Sequence, residues 1–370
     1  VTTPQADSSF LQEGQFIGFG FRTLIDGSQL RVPDVYEGSP AAEGGLVRGA
    51  EITHVDSGSG YVPIATILQS DPDLAEAFGP ATEGVMRGLR FVHSGGQQVE
   101  AEFTKRVVTI PPVPPAGTAI LSLPSNPSVP VGYLNLRTFI STAETPLRTA
   151  YAQFRAQGIQ YFILDLRYNG GGLVSIADLI GDLNGADRAP ADVFSNLRFN
   201  ANKSGNDTVR RFVEQPQSVA PVRIAFITTG GTASASELVV NSMKSWTEVA
   251  IVGSDTFGKP VGQSAFDLNG CDLRLRLVAF RVTNADEQGD YYDGLAATLP
   301  FACAAGDDLT RAPWDPAESS TAAALGWLGT GACGELMSGP ASPLLKAQAV
   351  RRLPQSRQPT PAQAHLPGLF

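Results

Sequence analysis

Charge is sparse in this chain of 370 residues: Asp, Glu, Lys and Arg together make up only 17%. Its 27 Lys and Arg form no long basic block, and against 36 Asp and Glu they leave a formal charge of −9. Both features argue against a surface that tracks nucleic-acid phosphates. No apolar run approaches the ~20 residues that a membrane-spanning helix needs. The opening stretch VTTPQADSSFLQEG has neither the basic start nor the apolar centre of an export signal. A processed chain would look the same, so its compartment stays open on this ground. Cysteine occurs only at Cys271, Cys303 and Cys333, too widely spaced for a structural zinc site. A Cys303–Cys333 disulfide and inert buried thiols are both open readings, and any disulfide leaves one cysteine over. Histidine is as scarce, at His54, His93 and His365.

Apolar residues are plentiful at 42%, enough for a globular chain with a substantial core and two or three domains. After an N-terminal segment (1–15), residues 16–108 read as a small β-rich module. FIGFGF and QLRVPDVY are short strands, Ser39 caps a brief helix ended by Gly44-Gly45, and VMRGLRFVHSG with QQVEAEFTKRVV reads as a strand pair. A stiff linker, PPVPPAG, falls within 109–117. From 118 to 345, the strand candidates VGYLNLRTF, YFILDLR, VRIAFITT and EVAIVGS alternate with the helical patterns PLRTAYAQFRAQG, VSIADLIGDL and ASELVVNSMKSW. That alternation predicts α/β layers with parallel pairing. Residues 346–370, largely Pro, Gln and Ala, read as a mobile tail.

Three short stretches carry the chemistry. In TTGGTASASELVV, Ser234 follows a strand and a Gly-Gly turn at the mouth of a helix. Such a position exposes a hydroxyl and offers backbone N–H groups to an oxyanion, although helix-capping serines look the same. With His54 and His93 in the small module and His365 in the tail, lysine is the better base. Lys259 in GSDTFGKPVGQSAF follows a buried strand, where desolvation would help it to be neutral; a solvated surface lysine is the plain alternative. DLRYNGGG (165–172) supplies a glycine turn that lets backbone approach closely. It lacks the spacing of either a P-loop or a dinucleotide fingerprint. The acidic run NADEQGDYYDGL (284–295) needs no metal, because charged turn residues suffice to explain it.

In this order, DLRYNGGG, TASASE and TFGKPVGQ resemble the S41 serine peptidases, the C-terminal or tail-specific processing proteases. The resemblance implies a ClpP/crotonase-like layered α/β protease core. It places the nucleophile on Ser234, the general base on Lys259 and a lysine-orienting glutamine on Gln263. Oxyanion donors fall on the Ala235 amide and on a glycine of NGGG, Gly171 first and Gly172 second, with Ser236 left to packing. The small module then looks like a PDZ domain that captures a substrate's free C-terminus, with Ile17, Gly18, Phe19 and Gly20 in the carboxylate-binding loop. No metal or organic cofactor is implied. Partners are polypeptides and not nucleic acid, the oligomeric state is open, and membrane attachment would need a preceding segment. Residence in a bacterial periplasm or cell envelope is expected from the same resemblance. A peptide-binding scaffold with a degenerate hydrolase core is the competing reading, and a non-peptide acyl hydrolase a weaker one.

Overall fold

A computed structural model describes residues 1–333 and 351–370. Contacts divide the chain into two units: one built chiefly from Gln5–Pro111, and one chiefly from Pro112–Asp307 together with the helix that follows Trp314.

The smaller unit begins with helix α1 (Pro4–Glu13). Strand β1 (Gln15–Gly18) leads through Phe19 and Gly20 into β2 (Phe21–Asp26), which forms a hairpin with β3 (Gln29–Val35). The short helix α2 (Pro40–Glu43) starts where Ser39 Oγ accepts the Ala42 N–H at 3.2 Å, and it stops at Gly44, as the sequence predicts. Strands β4 (Glu51–Asp56) and β5 (Tyr61–Pro63), helices α3 (Ile64–Ser70) and α4 (Ala75–Phe78), and strands β6 (Met86–Val92), β7 (Gln98–Thr104) and β8 (Arg106–Thr109) complete the module. The sheet runs β2-β3-β4-β6-β7, while β1 pairs separately with β8. Its core is a cluster of buried residues: Phe21, Leu30, Val32, Leu89, Phe91 and Phe103 from alternating strand positions, with Phe19 from the β1–β2 loop and Phe78 from α4.

The larger unit is layered. Strands β9 (Thr118–Leu123) and β10 (Asn126–Asn135) are antiparallel, and helix α5 (Glu144–Ala156) carries the chain to β11 (Tyr161–Asp165), parallel to β10. Helix α6 (Val174–Leu183) follows, then β12 (Val193–Phe199), β13 (Thr208–Arg211), β14 (Arg223–Thr228), α7 (Ala235–Met243) and β15 (Glu248–Gly253). After β16 (Val261–Asp267), β17 (Arg274–Thr283) and β18 (Ala302–Ala304) comes α8 (Ser319–Thr330). Six strands form the central sheet in the order β18-β15-β14-β11-β10-β9, parallel except for β9. Both faces are covered, so the strands read as continuous apolar runs. Phe162, Leu164, Ile224, Phe226, Val249 and Ile251 point to the face covered by α5, α6 and α7; Ile163, Ala225, Ile227, Ala250 and Val252 point to α8 with Trp327 and Leu328. Helix α5 presents Leu147, Ala150, Tyr151 and Phe154 as one stripe, whereas α7 is buried all round and lies inside the core. A separate antiparallel sheet, β13-β12-β17-β16, carries the chain on from the lysine loop. Cys303 on β18 is bonded to Cys333 beyond α8, and Cys271 is free and exposed.

Residues 351–370 depart from the mobile tail that their composition suggests; 346–350 lie outside the described residues. Strand β19 (Arg351–Arg352) pairs with β2, and helix α9 (Pro361–His365) is capped by Thr360. Leu366, Leu369 and Phe370 are buried in the smaller unit, and the His365 ring stacks on Phe10. Proline and glutamine make the segment look soluble, yet these three apolar side chains bring enough buried area to order it.

Candidate active site

Three loops leave the carboxyl ends of three neighbouring parallel strands. The glycine turn follows Asp165 at the end of β11, the serine turn follows Thr228 at the end of β14, and the lysine loop follows Gly253 at the end of β15. Since β14 lies between the other two, the sheet places the serine turn in the middle. Crevices at such strand ends are where open α/β sheets bind ligands.

Hydrogen bonds lace the loops together. The Asn169 carbonyl accepts the Ala233 N–H and the Ser236 hydroxyl, both at 3.0 Å. Asn169 Nδ2 donates to Leu136 O at 2.7 Å. On the other side, Phe257 N–H donates to Thr232 O at 2.9 Å and Thr228 Oγ1 to Ser254 O at 2.7 Å. Ser236, fully buried at the start of α7, is therefore a strut between the glycine turn and the helix.

Ser234 sits half-buried with φ 58° and ψ −115°, a backbone conformation that L-residues rarely adopt. A non-glycine residue held there costs about 1–3 kcal/mol, and such strain collects at functional turns. Two features hold it. Gly171, at φ +99°, lies so close beneath the serine that an added Cβ would fall 2.8 Å from Ala235 N and 2.9 Å from Ser234 Cβ. Glu237, in the first turn of α7 and fully buried, accepts the Ser234 N–H on Oε2 at 2.9 Å.

The same carboxylate reaches the lysine loop. Glu237 Oε2 accepts the Lys259 N–H at 2.8 Å, and Oε1 accepts the Gly258 N–H at 2.7 Å. One buried side chain thus ties the backbone of the serine turn to that of the lysine loop. Burial pushes the Glu237 carboxyl above the usual range, opposed by its bonds from Thr256 and from the three amides. For Lys259, burial lowers the ammonium pKa below the ordinary lysine value; the Glu237 carboxylate acts to raise it and Arg276 to lower it. No hydrogen bond joins the Ser234 and Lys259 side chains directly.

The Ala235 N–H, first of the helix, has no acceptor among the described residues. Gly171 N–H donates to Asn169 Oδ1 at 2.9 Å, while Gly172 N–H is unengaged among the described residues. Gly172, at φ +140°, has no room for a side chain, since an added Cβ would lie 2.1 Å from Phe139 O. Asp165 supports the turn from behind. It accepts Tyr133 OH at 2.6 Å and Arg167 Nε at 3.0 Å, and Arg167 also pairs with Asp307 and Glu318 in a buried cluster. Gln263 stands exposed on β16 without a hydrogen bond to Lys259. The acidic run 284–295 closes on the lysine loop through the Leu295 N–H, which donates to Thr256 Oγ1 at 3.0 Å. Among the described residues no group of three or more His, Cys, Asp or Glu could hold a metal.

Ile17, Gly18, Phe19 and Gly20 belong to the smaller unit. Ile17 is held in the β1–β8 ladder opposite Val107, and Phe19 is wholly buried. Gly20, at φ +90°, donates its N–H to Phe370 O at 2.8 Å.

The larger unit is thus a layered α/β domain with a serine-centred site at its strand ends. Residues 130–295 match peptidase family S41, and the chain carries a domain of that family homologous to carboxyl-terminal-processing proteases. A carboxyl-terminal-processing protease of Synechocystis sp. is 30% identical over 260 residues, covering 69% of this chain and 56% of the relative. Carboxyl-terminal-processing peptidase 2, chloroplastic, of Arabidopsis thaliana is 27% identical over 291 residues, covering 75% and 52%. The chain therefore spans little more than half the length of these relatives. Among solved structures, a putative S41 protease from Bacteroides fragilis shares the fold with a TM-score of 0.66 at 24% identity, over 85% of this chain and 83% of that one.

Glu237 and Asn169 brace the candidate site, and the sequence alone assigns neither of them a role. Ser234-x-x-Glu237 has the spacing of a capping box, which was the available signal. Nothing in sequence marks Asn169 beyond its place before three glycines.

Proposed function

We propose that the chain is a serine endopeptidase acting through Ser234 and Lys259. The observation that carries this reading is the Glu237 carboxylate, which holds the backbone of both residues in one buried clamp. Neutral Lys259 takes the proton from Ser234 Oγ as that oxygen attacks a peptide carbonyl, giving a tetrahedral oxyanion. The Ala235 amide and the glycine turn stabilise it. Gly171 is the nearer glycine, and an oxyanion is a stronger acceptor than the Asn169 carboxamide that now holds its N–H; Gly172 offers an uncommitted amide beside it. The lysine ammonium returns its proton to the departing amine, and water, deprotonated by Lys259, releases the acyl group. Catalytic hydrogen bonds often tighten only with substrate in place, which accommodates the missing Oγ–Nζ bond and gives Gln263 its role of holding Nζ in the closed state.

The smaller unit is proposed to be PDZ-like and to capture substrate C-termini at the loop of Ile17, Gly18, Phe19 and Gly20. The Cys303–Cys333 disulfide supports residence outside the cytoplasm. Cleavage of an unstructured polypeptide by the intact chain, Ser234→Ala and Lys259→Ala is the test. Near-complete loss in both variants is expected, and equal cleavage by all three preparations would end the dyad reading.

A further inference from the structure

In the smaller unit, the outer edge of β2 is already occupied. Phe370 and Phe21 exchange backbone hydrogen bonds, Phe370 N to Phe21 O at 3.0 Å and Phe21 N to Phe370 O at 3.3 Å. Thr23 N–H donates to Gly368 O at 2.8 Å, and Leu369 lies opposite Arg22 in antiparallel register. Phe370 O also takes the Gly20 N–H, and an added Cβ at Gly18 would stand 3.1 Å from the Phe370 carbonyl carbon. The Phe370 ring lies 4.4 Å, centroid to centroid, from Phe78, whose ring in turn packs edge-on to Phe19 and Phe21. Residues 368–370 are therefore laid along β2 as an added strand, with an aromatic side chain in an aromatic pocket and a backbone oxygen on the amides of Gly20 and Phe21.

We propose that the peptide groove of this unit is filled by the chain's own residues 366–370, which compete with any incoming peptide and mark the groove as selective for a large apolar residue in the Phe78 pocket. The inference rests on the peptide-capture reading above. A tethered ligand faces its site at an effective concentration near the millimolar range, so the tail raises the apparent dissociation constant of a free peptide by roughly 10- to 100-fold. Access to the groove is then governed by release of the tail.

The experiment uses the 370-residue chain in a Ser234→Ala background and a fluorescein-labelled Leu-Pro-Gly-Leu-Phe peptide with a free carboxylate. Anisotropy compares the intact chain, a chain ending at His365 and a Phe370→Asp variant. The two altered chains should bind the probe at least tenfold more tightly than the intact chain, and replacing the probe's Phe by Lys should abolish that binding. Equal affinity for intact and shortened chains would overturn self-occupancy alone. A folded, shortened chain that binds no probe would instead refute peptide capture itself. Hydrogen exchange in the intact chain gives a readout that needs no variant. The Gly20, Phe21 and Thr23 amides should be protected at every protein concentration, and rapid exchange, or protection that fades on dilution, would overturn occupancy by the molecule's own tail.

Discussion

Glu237→Gln asks whether one buried carboxylate sets Ser234 and Lys259, the proposed nucleophile and base, in register. The substitution keeps the shape but leaves one acceptor oxygen where the wild type has two. Three amides now converge on the carboxylate, those of Ser234, Gly258 and Lys259. With Gln, at least one of them must face an NH2 group. A buried donor left unsatisfied costs about 1–3 kcal/mol. For a domain of this size that lowers Tm by about 2–12 °C, at roughly 2–4 °C per kcal/mol. If the same penalty falls on the transition state, the plateau rate drops about 5- to 150-fold. Alanine would strand all three amides, so Gln is the cleaner change. The charge has a separate signature. The carboxylate favours the Lys259 ammonium, so its removal lowers the lysine pKa further and leaves more neutral base at a given pH. The rising limb of the pH–rate profile should therefore move to lower pH while the plateau falls. Peptide hydrolysis across pH, with Tm from calorimetry, reads both. An unchanged plateau with an unmoved limb, or a limb displaced to higher pH, would refute the clamp.

Arg276→Gln should do the opposite to the profile. Arg276 lowers the Lys259 pKa, so its loss raises that pKa and carries the limb to higher pH, more visibly at low ionic strength. Gly171→Ala should reduce turnover by about 100-fold or more, because the new Cβ would press on Ala235 N and Ser234 Cβ in the proposed oxyanion site; wild-type rates would remove Gly171 from the site. Paired Cys303→Ser and Cys333→Ser substitutions open a closed loop spanning 30 residues. Chain-entropy reasoning puts the lost stability at roughly 3.6 kcal/mol, measurable by urea unfolding. In the native protein, alkylation without reductant should label Cys271 alone.

The layered core was legible because its cues agree at every level. Strand runs such as VRIAFITT and EVAIVGS are apolar on both faces, and the glycine, serine and lysine stretches each fall directly after one of them. What could not be read is how distant backbone groups meet. Glu237 acts on amides 21 and 22 positions further along the chain, and only the parallel pairing of β14 with β15 brings them within reach. The tail misleads for another reason. Its polar and proline-rich composition is real, but order there depends on Leu366, Leu369 and Phe370 finding the uncovered edge of β2, a feature of tertiary structure that no local pattern announces. Gln263 is the converse, a residue that the family resemblance sets beside Lys259 and whose place on β16 leaves it exposed.

The two points at which the tail meets β2 also bear on solubility. Arg351–Arg352 cover Ile25 and Asp26, and 368–370 cover Phe21 to Thr23, so nearly the whole strand FRTLID has its outward amides and carbonyls engaged. Stripped of that cover, the strand would offer a row of unsatisfied backbone groups to any extended chain, including another copy's β2. A protease nick near residue 350 followed by loss of the tail would thus produce molecules prone to pair edge to edge. Preparations of the protein should be judged by whether those last twenty residues are still attached.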